Sequence, residues 1–193
     1  MQESELIIAC GKNDKVAKKQ LFDMFYGKFA FVALRYCKNA SQADILSQHA
    51  FSDVFYQLHG FKQHTVSLED FCRTIFISSL VKQVKSIRNE YYVASTVRAI
   101  ERTDKSYDLF LDGGYIDFKT IDKDIILKSI QELVPSQRLV FNMQIIDNFD
   151  LAKTSELLET SEQTIKANLE KARFNLQKGI EKNLKHSNNE QPV

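Results

Sequence analysis

Residues 149–176 read FDLAKTSELLETSEQTIKANLEKARFNL, and the parsing of this stretch decides the fold. Ile165, Leu169, Ala172 and Leu176 step by four, three and four residues, which places them on one side of a helix. Leu151, Leu157 and Leu158 supply an apolar surface on a shorter helix just before it. Ser161 opens the second helix with Thr164 one turn later, the pattern of an N-cap. A short helix, a three-residue turn and a longer helix with exposed first turns form a helix-turn-helix, whose second helix enters the major groove of DNA. An ordinary helical hairpin inside a bundle satisfies the same periodicity, so both readings stand at this point.

The 193 residues are 44% hydrophobic and 26% charged, a globular mixture that fits one domain or two small ones. With a formal net charge of +1, any affinity for a polyanion has to come from a local patch. No apolar run reaches the length of a membrane span, and the first residues lack the layout of a signal peptide. Cys10, Cys37 and Cys72 are odd in number, widely spaced and set in apolar helical patterns. They read as small core residues in a reducing cytoplasm, not as disulfides or metal ligands. His49, His59, His64 and His186 are scattered. The sequence has no glycine-rich phosphate loop, zinc-ligand cluster or nucleophile beside an ordered base, so neither an enzyme nor a cofactor or metal site is expected.

Proline occurs only at Pro135 and Pro192, and long β-branched alternation is missing, which predicts an all-α chain. Helices are expected over 3–10, 14–36, 41–58 and 68–88, with Asn13, Ser41 and the Ser67/Asp70 pair as starting signals. Residues 1–88 make a first helical domain. Residues 89–121, around Asp112-Gly113-Gly114, read as a linker, although Tyr91, Tyr92, Leu109 and Phe110 are too apolar for a purely flexible tether. Residues 122–185 make a second domain, and 186–193 a disordered tail.

Several segments carry a family resemblance. VPSQRLVF at 134–141, Asn148, Glu156-Leu157-Leu158 and SEQTIKANLEKAR at 161–173 stand in the second domain. ALRYC at 33–37, QHAFSDVF at 48–55 and FCRTIFISSLVKQVKSIR at 71–88 stand in the first. In order and spacing the chain resembles the bacterial sigma-70 family, as a divergent member of the extracytoplasmic-function (ECF) class of RNA polymerase sigma factors. Residues 5–88 would correspond to region 2, a helical bundle, and 124–182 to region 4, with Asn148 where the family has a glycine. The resemblance implies a dissociable, non-catalytic, cytoplasmic subunit without a cofactor. Such a subunit binds core RNA polymerase and promoter DNA and directs transcription initiation, with the linker in the polymerase's RNA exit channel. An anti-sigma factor and a DNA-targeting protein are further partners that fit this reading.

The resemblance also assigns faces. The outward side of the third helix, Ile45, Gln48, His49, Ser52 and Tyr56, would dock on polymerase; the family's usual acids are replaced by Ile45 and His49. An outward Ile and Tyr suit protein contact. Region 2 would meet DNA through Lys62, His64, Arg73, Ser78, Lys82, Lys85 and Arg88; from 73 to 88 there are four basic residues and no acid. Ile77-Ser78 replaces an Arg-Asn pair common in the family. Region 4 would meet DNA through Gln163, Thr164, Lys166, Asn168, Lys171 and Arg173, with the amides of Gln163 and Asn168 suited to adenine. Residues 122–185 hold ten basic and ten acidic side chains, weak electrostatics for gripping a duplex. Two other readings therefore accompany the sigma factor: a sigma-like subunit with weakened promoter reading, brought to DNA by a separate targeting partner, and a helix-turn-helix regulator that does not bind polymerase.

Overall fold

Eight α-helices make the fold all-α, apart from one short hairpin, in a computed structural model that describes residues 2–62, 65–87, 109–111 and 114–189. The chain divides into two units, Met1–Ser86 and Ile87–Val193. The first holds α1 (Glu3–Gly11), α2 (Lys15–Tyr36), α3 (Ala40–Gln57) and α4 (Leu68–Ser86). Helix starts follow from side chains that satisfy free backbone N–H groups. Asp14, not Asn13, caps α2 by accepting from the Ala17 N–H at 2.8 Å, and Asn13 sits just outside with φ 65°. Asn39, not Ser41, caps α3 through the Gln42 N–H at 2.9 Å. Ser67 opens α4 as expected, accepting from the Asp70 N–H at 3.0 Å and donating to the Asp70 carboxylate at 2.7 Å.

The core of this unit is a triangle of rings, one from each long helix. Phe29, Phe51 and Phe76 are buried, with centroids 5.0–5.7 Å apart. Each such pair contributes about 0.5–1.5 kcal/mol beyond its burial. α3 and α4 are also stitched by polar bonds: the Ser79 hydroxyl donates to Asp53 at 2.6 Å, and the Gln83 amide donates to the Leu46 carbonyl at 3.2 Å. Cys10, Cys37 and Cys72 are free and buried. Burial pushes the Cys72 thiol up to about 12, reinforced by Cys10 and Glu3, and burial raises Cys10 as well.

Within the stretch 89–121 expected to be a linker, β1 (Leu109–Leu111) pairs antiparallel with β2 (Gly114–Ile116). The register sets Leu111 opposite Gly114, and Asp112-Gly113, between them in sequence, lies outside the described residues. Strands of three residues are too short to display an alternation in sequence. A 3₁₀ turn at Phe118–Thr120 leads into α5 (Lys123–Glu132), capped by Asp122. Then come α6 (Pro135–Phe141), a π-helical turn (Asn142–Ile146), α7 (Leu151–Leu158) and α8 (Glu162–Asn189). Ile121, Ile130, Leu133, Ala172, Leu176 and Ile180 form the core where α5 meets α8. The expected tail is corrected, because 186–189 continue α8. No helix among the described residues is long and apolar enough to cross a membrane.

Candidate nucleic-acid interface

The approach to α7 is shaped by backbone geometry. The π-helical turn ends at Asp147, and Asn148 then adopts φ 54°, the left-handed region that favours Gly or Asn. The Gln144 amide spans the bend, donating to the Phe149 carbonyl at 2.8 Å, the Asp150 carbonyl at 3.2 Å and the Thr154 hydroxyl at 2.6 Å. Asp150 caps α7 through the Lys153 N–H at 2.6 Å. Glu159 ends α7 in the left-handed region with φ 53°, and residues 159–161 make the turn. Ser161 caps α8, accepting from the Thr164 N–H at 3.1 Å. Leu158 from α7 and Ile165 from α8 are buried. This is a helix-turn-helix with a three-residue turn, in which the first turns of α8 stand exposed.

Residues 123–176 match the family model for sigma-70, region 4. No curated protein matches the chain. The region 4 match takes in α5, α6, α7 and the first half of α8, so the helix-turn-helix lies inside it.

Within the matched segment the expected contact residues separate. Gln163 and Lys166 are exposed on α8. Asn168 is not: it is 5% exposed and takes the core position expected for Leu169, which is half-buried. Its assignment as an adenine reader is corrected, since an amide turned into the core cannot reach a base edge. The Thr164 hydroxyl lies 2.9 Å from that of Ser161, inside the cap. Arg173 is half-buried and donates to Glu170 at 3.1 Å, and Lys171 is half-buried. Charge is unevenly spread. Residues 147–170 hold six acids and two lysines, whereas 171–189 hold five basic residues and one acid.

Among the residues of the first unit expected to meet DNA, Lys62 and Lys82 are exposed, and Arg73 and Lys85 are half-buried. The Ser78 hydroxyl donates to the Thr74 carbonyl at 2.8 Å, a bond within α4. Ile77 is buried in the core. His64 and Arg88 lie outside the described residues. On α3, Ile45, Gln48, His49, Ser52 and Tyr56 are all exposed, Ile45 at 57% and Tyr56 at 79%. Opposite them, Leu46, Ala50, Val54 and Leu58 are buried.

Sequence reasoning missed the residues that hold the second unit in shape. Arg138 is 1% exposed and donates through Nη1 to the carbonyls of Gln131 and Leu133, each at 2.9 Å, closing the bend between α5 and α6. An arginine one turn after a helix-starting proline reads as surface, so it gave no signal. Asn183 is buried and donates to the Ser129 hydroxyl at 2.9 Å, fastening α8 to α5.

Proposed function

We propose that this chain is an RNA polymerase sigma factor of the ECF type, binding core polymerase and directing initiation at promoter DNA. The observation that carries the reading is the helix-turn-helix of α7 and α8 inside a segment that matches sigma-70, region 4. The first unit takes the region 2 role. The exposed face of α3 is its polymerase contact, and Lys62, Arg73, Lys82 and Lys85 lie toward promoter DNA. In the second unit Gln163 and Lys166 carry the contact from the first turns of α8. The chain supplies binding and positioning without chemistry of its own.

A specific observation favours a weaker form of promoter reading. Asn168 is buried, which removes one side chain suited to base contact, and Arg173 pairs with Glu170 at 3.1 Å. Each good bidentate base contact contributes about 1–3 kcal/mol of discrimination. With fewer of them, a separate DNA-targeting partner can supply the missing selectivity through effective concentration. Transcription by core polymerase plus this chain on a promoter library separates the readings. Enrichment of a two-block promoter supports intrinsic selection. Core binding without enrichment supports the partner-guided form. Failure to bind core polymerase overturns both and leaves a regulator that works without it.

A further inference from the structure

We infer that the distal half of α8 is a second DNA contact surface, a basic stripe that takes the phosphate backbone of a duplex without reading bases. It rests on the reading of the second unit as DNA-binding, but needs neither promoter selection nor polymerase. α8 runs to Asn189, thirteen residues beyond the end of the region 4 match at 176. Lys171, Lys178, Lys182 and Lys185 follow one another by seven, four and three residues, with Asn175, whose amide donates to Gln137 at 2.8 Å, between the first two. That spacing keeps them on one face, and at 1.5 Å per residue the stripe is about 21 Å long.

The core side of the same segment is defined by Ala172, Leu176, Ile180 and Asn183, all buried. Lys178, Lys182 and Lys185 are exposed. Acids lie beside the stripe. Glu181 pairs with Lys178 at 2.7 Å, and Glu132 of α5 lies 3.7 Å from Lys182. The lysine side chains in these pairs are 56% and 61% exposed, so each bond is weak and exchangeable in water. Lys128, exposed and one turn before Glu132 on α5, adds a cation along the neighbouring edge.

Charge balance gives the stripe its consequence. The helix-turn-helix segment, 147–170, has six acids against two lysines, and a duplex meeting it alone is repelled. The excess positive charge begins at Lys171. Duplex DNA presents one negative charge per roughly 1.7 Å of axis, so a 21 Å stripe spans on the order of twelve of them. Three or four lysines at one-turn spacing can engage that array in any sequence context. They add affinity and register, not specificity.

The test is fluorescence anisotropy of the full chain on a random-sequence duplex of about 30 base pairs, across a salt series. Each phosphate contact contributes about 0.9 to the slope of log affinity against log salt. The triple variant Lys178→Gln, Lys182→Gln, Lys185→Gln is expected to lower that slope by two to three, on the order of 0.9 per lysine, and to weaken binding at least tenfold on the order of 0.1 M salt. Its circular-dichroism melt is expected to match the parent's, because all three side chains are exposed. An unchanged slope in the triple variant, or no binding of the parent chain to random duplex, overturns the proposal. Lys166→Gln, measured alongside, keeps the two readings apart. If it lowers the slope while the triple variant does not, the helix-turn-helix contact survives and the stripe falls. If promoter enrichment fails while the triple variant still loses slope, the stripe survives and promoter selection falls.

Discussion

Replacing Gly179 by alanine probes whether the long α8 is a single rigid element seated on α5. Gly179 lies in the helix interior, where glycine is about 0.8–1.0 kcal/mol less favourable than alanine. A methyl group there would meet the Ser129 Cβ at 3.5 Å and its Cα and Oγ at 3.8 Å, ordinary contact distances that require no neighbour to move. Burying that methyl adds up to about 0.8 kcal/mol. The expected gain is therefore about 1–1.5 kcal/mol, and a domain of this size gains about 4–8 °C in Tm per kcal/mol. Gly27→Ala is the matched control in the first unit. It lies inside α2, its new Cβ would meet nothing within 4 Å, and propensity alone predicts about 1 kcal/mol. Differential scanning calorimetry of the full chain reads both changes. A fall in Tm for Gly179→Ala, beside a rise for Gly27→Ala, would refute the seating of α8 on Ser129 and remove the scaffold of the basic stripe.

Lys166→Ala is expected to weaken duplex binding and to lower the salt slope by about 0.9, the share of one phosphate; an unchanged slope removes Lys166 from the DNA contact. Ile45→Asp is expected to reduce capture of core RNA polymerase at least tenfold while leaving the thermal melt intact, since Ile45 is exposed; undiminished capture refutes the α3 assignment. Cys72 gives a pH signature. Its thiol pKa is raised in the folded state, so its stabilising contribution is complete below the ordinary thiol value of about 8.5 and is lost as pH rises toward about 12. Urea melts should show a Cys72→Ala chain losing stability less steeply over that interval than the parent, and parallel pH slopes would refute the assignment.

Much of the helical framework could be read from residues alone. In the first unit, the stripe Leu46, Ala50, Val54, Leu58 is buried and its opposite face is exposed, because apolar side chains four residues apart leave little choice of orientation. The turn between α7 and α8 was equally legible, since Ser161 and Thr164 announce the cap locally. Cap positions slipped elsewhere by one or two residues. Asn13, Asp14, Asn39 and Ser41 are all competent cap residues, and the choice among them depends on where packing makes the helix begin. The β hairpin carried only Asp112-Gly113 as a local signal, and Arg138 carried none, because the carbonyls it satisfies become available only once α5 and α6 have bent against each other.

The misplacement of Asn168 has a physical cause that also bears on function. After Ile165, either 168 or 169 can continue an inward stripe, and hydrophobicity alone selects Leu169. The helix is long and packs against α5, α6 and α7, so the buried set follows the true period: Ile165, Asn168, Ala172, Leu176, Ile180, Asn183. Two of these six are amides, and Gln177 beside them is buried as well. An apolar stripe would have let α8 slide against α5. The bond from Asn183 to Ser129 instead ties α8 to α5, and that from Asn175 to Gln137 at 2.8 Å ties it to α6. Asn175 and Asn183 thus hold the distal part of α8 against α6 and α5. With Asn168 buried as well, the proposed basic stripe suits α8 better to carrying a fixed row of charge along a duplex than to discriminating among base pairs.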